Sequence, residues 1–310
     1  MNAVTSAMLE DLSQPPPQGL DGLLSALRAR YGEELLAIVL YGSCRRDQDV
    51  HDGLVDLLVL VRRYRTVHGL HPSALFNRLL PPNVYYLQAE SKKRTVRCKY
   101  ALVTLEQFAR RCRSRSDHYF WARFTQPCRL VYARADQALP EQLAEIRATA
   151  ARQYCRRIAP LLTSPVAATG FWQRALTATY RCELRPESSD NARRLIAADP
   201  VFWERITQAL ADERCCGLSE EDALFFRTTS NRQRLLTRLQ WQLRRVSGKA
   251  FNLARLFKAA GTFSNGIDYI SWKVERHSGV RIEPTERMRR YPRLAAWGMA
   301  WRMWRQGGFR

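Results

Sequence analysis

Hydrophobic positions in the first half of the chain follow first a helical and then a strand-like pattern. Apolar residues recur at helical spacing from Leu20 to Tyr31, and Gly32 ends that pattern. Two short apolar runs follow, at Leu35 to Tyr41 and at Leu54 to Val61, and runs of this length are typical of buried strands. Further strands are predicted at 84–89, 95–103 and 128–132.

The pattern changes near Ala138, beyond which helical spacing replaces strand signals. Helices are predicted at 139–162, 170–184, 192–214, 219–226 and 232–258. We therefore expect an α+β fold with a mixed β-sheet head over 17–136 and an all-helical domain over 137–310. Residues 1–16, which end in a run of prolines, are expected to form a flexible N-terminal segment.

The charge of the chain limits the kinds of partner it can have. Its 310 residues include 50 Lys/Arg and 29 Asp/Glu, a net charge of +21. Residues 221–310 carry 19 basic and 6 acidic residues, so +13 of this excess lies in the last 90 positions. Nucleic acid, an anionic membrane surface and a phosphorylated substrate all fit such a charge. A GC-rich genome also favours arginine over lysine, but it does not explain the shortage of acids.

The sequence also indicates where the protein is found. No run approaches the length of apolar sequence that crosses a bilayer. The first residues include acids and prolines, where a secretory signal needs a basic start and an apolar stretch. The eight cysteines show no CxxC spacing and are expected to be reduced thiols rather than zinc ligands. We expect a cytoplasmic protein that is soluble or attached peripherally to the inner face of the cell membrane.

The segment around the two apolar runs carries the candidate chemistry. Gly42 and Ser43 directly follow the first run, and Asp56 interrupts the second. A carboxylate in an apolar strand is costly to bury unless it is paired, metal-bound or solvated at a cleft. One interpretation is a site that uses this carboxylate. The other is an edge strand whose aspartate faces water, beside a Gly-Ser turn without a binding role.

The order of these features resembles the nucleotidyltransferase fold of the DNA polymerase β superfamily. In both, a strand is followed by Gly-Ser, a spacer and a second strand that carries an acid. The resemblance implies that Gly42 and Ser43 hold nucleotide phosphates and that Asp56 is catalytic and binds Mg²⁺. The family pattern is Asp-x-Asp, but Leu54 occupies the position of the first acid. Asp52, the nearest of three loop aspartates, is a candidate replacement ligand. A domain that has lost its metal site is the alternative.

The chain is also similar to the mitochondrial-type CDP-diacylglycerol synthases, the translocator assembly and maintenance family. That family also lacks the first acid on this strand, and its strand is matched by Leu-Val-Asp-Leu at 54–57. Its later blocks are matched in order by Asn-Val-Tyr-Tyr at 83–86, Lys-Tyr-Ala-Leu-Val at 99–103 and Arg-Leu-Phe-Lys-Ala-Ala-Gly at 255–261. The resemblance implies transfer of CMP from CTP to phosphatidic acid, which gives CDP-diacylglycerol and pyrophosphate.

The resemblance points to further site residues. The family carries an acid in the turn after its Val-Tyr-Tyr strand, where Glu90 is the acid available here. Glu90 is therefore either a further Mg²⁺ ligand or a turn residue. Lys99 would contact the nucleotide if its strand directs it into the cleft. Arg255, Lys258 and Lys273 are candidates for binding the phosphate of the lipid.

The C-terminal segment combines tryptophan with arginine. After Pro292, a helix would place Leu294, Trp297, Trp301 and Trp304 on one face and most arginines elsewhere. Such a helix suits the headgroup boundary of an anionic bilayer. The alternatives are packing of the tryptophans on the protein core and binding of RNA.

Two other functions remain open for the whole protein. One is nucleotidyl transfer to RNA or another acceptor. The other is a catalytically silent domain that binds RNA or membranes.

Overall fold

The computed structural model describes residues 1–45, 50–51, 53–68, 77, 79–91, 94–135, 138–162, 166–183, 189–215, 217–218, 223–225, 230–262 and 285–286. The helices are α1 (Ala3–Leu12), α2 (Asp21–Tyr31), α3 (Tyr64–His68), α4 (Leu105–Arg113), α5 (His118–Phe124), α6 (Leu139–Ile158), α7 (Ala168–Tyr180), α8 (Ser189–Ala197), α9 (Pro200–Asp212) and α10 (Asn231–Thr262). The strands are β1 (Leu35–Tyr41), β2 (Leu54–Val61), β3 (Asn83–Ser91), β4 (Arg94–Thr104), β5 (Arg129–Ala133), β6 (Val166–Ala167), β7 (Gly217–Leu218) and β8 (Ala223–Phe225).

Five strands form a mixed sheet in the order β3-β4-β2-β1-β5. Strands β2 and β4 are parallel, whereas the other neighbouring pairs are antiparallel. The two apolar runs of the sequence match β1 and β2 from end to end. The expectation of an α+β fold with a mixed sheet is therefore confirmed.

The two faces of the sheet pack against different helices. Successive residues of a strand point to opposite faces, so Ile38 and Leu40 pack toward α2 while Val39 and Tyr41 face the other way. The second face continues into one hydrophobic core with α1 and with helices α4 to α9. Sheet and helices therefore share a core across the boundary that we predicted at residue 136.

The N-terminal residues form part of this core. Val4, Met8 and Leu12 repeat every four residues along α1 and are almost completely buried. Helix α1 packs on α6 and α9. The expectation of a flexible segment over 1–16 is therefore wrong for α1, because its apolar face is covered by helices that lie far away in the sequence.

The second half of the chain is not entirely helical. Strands β6, β8 and β7 form a small antiparallel sheet in that order. The helix predicted over 219–226 is wrong at β8, which is a strand. The single helix predicted over 192–214 is two helices, α8 and α9, and α9 begins at Pro200. Strands of two or three residues are too short to leave an alternating pattern in the sequence.

A buried ion pair fixes α1 to the rest of the fold. Arg147 of α6 is 1% exposed and donates a hydrogen bond of 2.8 Å to Asp11 Oδ2. It also donates to the carbonyl oxygens of Phe124 and Gln126. The N–H of Cys128 donates to the same Asp11 oxygen at 2.8 Å. These bonds compensate for the desolvation of both charges and connect α1 to the segment between α5 and β5.

We expect Asp11→Ala to lower the free energy of unfolding by about 3–5 kcal/mol, because it leaves the Arg147 charge buried without its acidic partner. Urea denaturation measures this loss. Glu10→Ala is the matched control, since Glu10 is next to Asp11 on α1 and pairs with Arg205 at 2.7 Å in a solvent-exposed position. The control should cost less than about 1 kcal/mol. Equal losses would contradict a structural role for the buried pair.

Candidate functional site

Three neighbouring strands bring Tyr41, Asp56 and Lys99 side by side. Tyr41 on β1 is paired with Asp56 on β2, and Asp56 is paired with Lys99 on β4. Paired residues of adjacent strands point to the same face of a sheet. We call these three residues the strand row, and they lie on the face that packs against the helical core.

An ion pair joins two members of the strand row. Lys99 Nζ lies 3.0 Å from Asp56 Oδ1, and both side chains are half-buried. The contact joins opposite charges but is not aligned as a hydrogen bond, and Asp56 Oδ1 has no hydrogen-bond partner among the described residues. The Lys99 ammonium already neutralises this oxygen, so a metal ion or a donor group of a ligand that binds to it would displace the lysine or share the oxygen with it.

The Gly-Ser turn directly follows β1 and lies against Asp56. Gly42 has a φ of +83°, and a Cβ atom at this position would lie 2.8 Å from Asp56 Oδ2. Both the backbone conformation and the close approach therefore require glycine. Ser43 begins a short 3₁₀ turn, Ser43–Arg45, in which the buried Arg45 pairs with Asp199 at the start of α9. The turn is thus anchored to the helical half of the molecule.

A cavity of about 450 Å³ lies over the strand row. Gly42, Ser43, Asp56 and Lys99, which the sequence analysis singled out, all line it. The remaining lining residues are Tyr41, Tyr119, Ala122, Arg123, Gln126, Tyr180, Glu183, Asn191 and Leu195. The structure therefore brings together the Gly-Ser turn, the strand carboxylate and the lysine in one pocket, with walls from α5, α7 and α8.

Arg123 is a cavity residue that the sequence analysis missed. Its guanidinium carbon lies 5.6 Å from the ring centre of Tyr41 and 4.6 Å from that of Tyr119. Its Nε has no hydrogen-bond partner in the described part of the chain. The sequence does contain a signal that could have identified Arg123. It is a charged residue in the aromatic segment HYFWARF, which is expected to be buried, just as Asp56 is a charged residue in an apolar strand.

The charges in the cavity stabilise one another. Burial by itself lowers the pKa of Arg123, but Tyr119, Tyr41 and the cavity carboxylates more than offset this and hold the pKa above its ordinary value. Burial, and after it the carboxylate of Asp56, raise the pKa of Tyr41. The cavity therefore presents a lasting guanidinium charge and a protonated tyrosine next to the Lys99–Asp56 pair.

The structure does not bring Glu90 to this site. Glu90 is exposed on β3 and is paired with Thr95 of β4. Thr95 precedes Lys99 by four residues, which corresponds to about 13 Å along the strand. The expectation that Glu90 shares a metal with Asp56 is therefore wrong, because the β3–β4 hairpin extends well beyond the strand row. Asp52 lies outside the described residues.

Arg255 lies next to the cavity but does not line it. Its Nε donates to the carbonyl oxygen of Pro81 at 3.1 Å, and Nη2 lies 3.9 Å from Asp117. Its guanidinium carbon is 4.6 Å from the ring centre of Tyr119, a residue of the cavity wall. Arg255 is thus placed to position Tyr119 rather than to face the cavity. The Lys258 side chain, Lys273 and the segment 292–310 lie outside the described part of the structure.

The cavity fits Mg²⁺ as an ion shared between the protein and phosphate oxygens. Mg²⁺ prefers oxygen ligands and is often bound by one or two carboxylates together with substrate phosphates. Asp56 offers an oxygen without a hydrogen-bond partner, and Ser43 lines the same cavity. The described residues contain no group of three His, Cys, Asp or Glu side chains that could hold a metal by themselves. Asp56 and Ser43 would therefore hold the ion together with a nucleotide.

Comparison with known proteins gives no family assignment. No protein-family model matches the chain, and no curated protein gives a significant match. Any functional conclusion therefore depends on the geometry of the cavity and on the motifs that line it.

The family resemblance implies that the Gly-Ser turn holds a nucleotide. On that basis we expect Gly42→Ala to weaken CTP binding strongly, because the methyl group would displace the Asp56 carboxylate. The positive φ is also unfavourable for alanine and should lower the free energy of unfolding by about 1–2 kcal/mol. Gly32→Ala separates the two effects, since Gly32 also has a positive φ, of +46°, but a Cβ atom there would have no neighbour within 4 Å. Equilibrium dialysis with labelled CTP and urea denaturation measure binding and stability. A Gly42→Ala protein with unchanged CTP affinity would contradict the proposed role of the turn.

Proposed function

We propose that the protein is a Mg²⁺-dependent phosphatidate cytidylyltransferase, which transfers CMP from CTP to phosphatidic acid. The observation that supports a nucleotidyltransferase is the convergence of Gly42, Ser43, Asp56 and Lys99 on one cavity. The choice of CTP and phosphatidic acid comes from the resemblance to the mitochondrial-type CDP-diacylglycerol synthases. In this reaction a phosphate oxygen of phosphatidic acid bonds to the α-phosphorus of CTP. The bond from that phosphorus to the bridging oxygen breaks, and pyrophosphate leaves.

The proposed reaction needs positioning and charge neutralisation more than proton transfer. A phosphate monoester is already ionised near pH 7, so the attacking oxygen requires no general base. Gly42 and Ser43 would hold the triphosphate, while Lys99 and Arg123 would neutralise and orient phosphate oxygens in the cavity. Mg²⁺, when bound at Asp56, would supply further neutralisation of the triphosphate.

The lipid substrate implies contact with a membrane. Phosphatidic acid resides in the bilayer, so the proposed enzyme works while attached peripherally to the inner face of the cell membrane. Within the described residues, no helix is long and apolar enough to cross a bilayer. Because the proposed acceptor is an anionic lipid, an anionic membrane surface is the proposed partner, and nucleic acid is the less favoured one.

We expect the purified protein to form labelled CDP-diacylglycerol from labelled CTP, phosphatidate vesicles and Mg²⁺. Asp56→Asn should lower the rate by about 10²-fold or more, because it removes the carboxylate that would hold Mg²⁺. Asp212→Asn is the matched control, since Asp212 is exposed on α9 and does not line the cavity. The control variant should keep the rate of the unchanged protein.

Each failure of this assay has a separate meaning. Full activity of Asp56→Asn would overturn the metal role even if the reaction is right. Transfer of label to RNA or another acceptor, without formation of CDP-diacylglycerol, would contradict the assignment of phosphatidic acid as the acceptor. It would still support nucleotidyl transfer as the type of reaction. No transfer to any acceptor by folded protein would overturn the enzymatic proposal.

A further inference from the structure

Helix α10 carries an unusual row of exposed apolar side chains. We call these residues the α10 stripe: Leu235, Leu236, Leu239, Leu243 and Val246. Their exposed fractions range from 47% for Leu239 to 73% for Val246. At 100° per residue they fall within one sector of the helix. An exposed apolar patch of this kind marks an interaction surface more often than an isolated exposed leucine does.

The opposite side of α10 is firmly seated on the protein. The indole N–H of Trp241 donates to the carbonyl oxygen of Arg157 at 3.0 Å, and Arg244 donates to that of Arg115 at 3.0 Å. A Cβ atom at Gly248 would lie 2.6 Å from the carbonyl oxygen of Cys182, so the helix and the body are in close contact there. Trp241, Arg244 and Gly248 share one sector, and the α10 stripe therefore points away from the body.

The charge of α10 selects the kind of partner. Its sequence from Asn231 to Thr262 contains no aspartate or glutamate. Arg238, Arg245 and Lys249 are exposed and lie within about 40° of one another on one flank of the α10 stripe. The surface thus combines an apolar centre with one basic flank and one neutral polar flank that includes Gln240 and Ser247, and α10 adds no acid to it. Its complement is apolar material bordered by anions.

We propose that the α10 stripe is the surface with which the protein lies on an anionic membrane. Helix α10 would run parallel to the bilayer, with the leucines among the upper acyl chains and Arg238, Arg245 and Lys249 at lipid phosphates. The inference rests on the proposed function in so far as phosphatidic acid has to be reached in a bilayer. It adds the part of the fold that makes the contact.

A second copy of the chain is the main rival occupant. Leu236, Leu239, Leu243 and Val246 are spaced as in a coiled coil, so two α10 helices could in principle pair. In an antiparallel pair the basic flanks of two identical helices would face one another, whereas in a parallel pair each would face the flank of Gln240 and Ser247. In neither arrangement does α10 offer an acid to neutralise its cations. Like charges across an interface oppose association. Anionic headgroups, in contrast, neutralise the same residues.

The position of α10 also connects the membrane surface with the cavity. Arg255, on the same helix, contacts Tyr119 of the cavity wall. Val246 and Arg255 are nine residues apart, which corresponds to about 14 Å along a helix. Arg255 lies on the side of α10 that faces the body, so the helix separates the α10 stripe from the cavity wall and contacts both the proposed membrane surface and the cavity wall.

Flotation of the full-length protein with vesicles tests the surface. We expect binding to vesicles of phosphatidylcholine with phosphatidylglycerol, and little binding to phosphatidylcholine alone. The double variant Leu239→Gln with Leu243→Gln should bind about tenfold more weakly, because two apolar side chains no longer enter the bilayer. Val201→Gln is the matched control, since Val201 is 61% exposed on α9, and it should bind like the unchanged protein. Thermal unfolding should confirm that all variants are folded.

Three results would overturn the proposal. The first is vesicle binding by the double variant that equals that of the control. The second is a dimer in sedimentation analysis that the double variant converts to monomers. The third is protection of Leu239 and Leu243 from hydroxyl-radical oxidation in the free protein, which would show that another part of the chain covers them. We expect oxidation in the free protein and protection on anionic vesicles.

The vesicle assay needs neither CTP nor turnover, so its outcome is separate from that of the proposed reaction. Binding through the α10 stripe without formation of CDP-diacylglycerol would contradict the proposed reaction and support the membrane-binding surface. Formation of CDP-diacylglycerol with unchanged binding by the double variant would support the reaction and contradict the surface. Arg238→Gln with Arg245→Gln should flatten the salt dependence of binding, and an unchanged salt dependence would contradict the role of the basic flank.

Discussion

The register between β1, β2 and β4 is the constraint on which the site depends. It places Tyr41, Asp56 and Lys99 next to one another on one face of the sheet. Because side chains alternate along a strand, a slip of one residue would move Asp56 to the face covered by α2. Such a slip is costly because it would bury the Asp56 carboxylate in the apolar layer between the sheet and α2. The register that satisfies the core is therefore also the one that places Asp56 in the cavity.

The strands, the Gly-Ser turn and Asp56 could be predicted because each is visible in the local pattern of apolar and polar residues. Leu35–Tyr41 and Leu54–Val61 were predicted as strands because they are short apolar runs, and the Gly-Ser turn and Asp56 were recognisable by their positions relative to them. Their convergence with Lys99 follows from a strand pairing between distant segments. The sequence indicated Gly42, Ser43, Asp56 and Lys99 as candidates, and the structure places all four in one cavity. The strand pairing that brings them together was left to the motif resemblance.

The missed parts depend on contacts between distant segments. Helix α1 is ordered because its apolar face meets α6 and α9, and nothing within residues 1–16 reveals that partner. Arg123 reaches the cavity because α5 packs under the sheet, which no spacing rule around residue 123 indicates. Glu90 was misplaced for a related reason, since its position depends on how far the β3–β4 hairpin extends. The short strands β6 to β8 carry too few residues for a recognisable period.

The basic character of the chain has distinct roles in different places. Arg147 is a structural charge that is compensated in the core by Asp11. Arg123 and Lys99 are charges of the cavity, held next to carboxylates and tyrosines. Arg238, Arg245 and Lys249 of α10 face outward beside an apolar stripe and have no acid on their own helix. The basic residues that make up the net charge therefore lie in three environments, the core, the cavity and the outer side of α10, and have a different role in each.

The central claim is that the strand row and the Gly-Ser turn form a site for a nucleoside triphosphate with Mg²⁺. Isothermal titration of the full-length protein with CTP, in Mg²⁺ and again in EDTA, tests it most directly. The account predicts saturable binding of one CTP per chain in Mg²⁺ and at least about tenfold weaker binding in EDTA, since an ion at Asp56 would carry part of the contact. CTP that fails to bind, or that binds equally well without the metal, would contradict it.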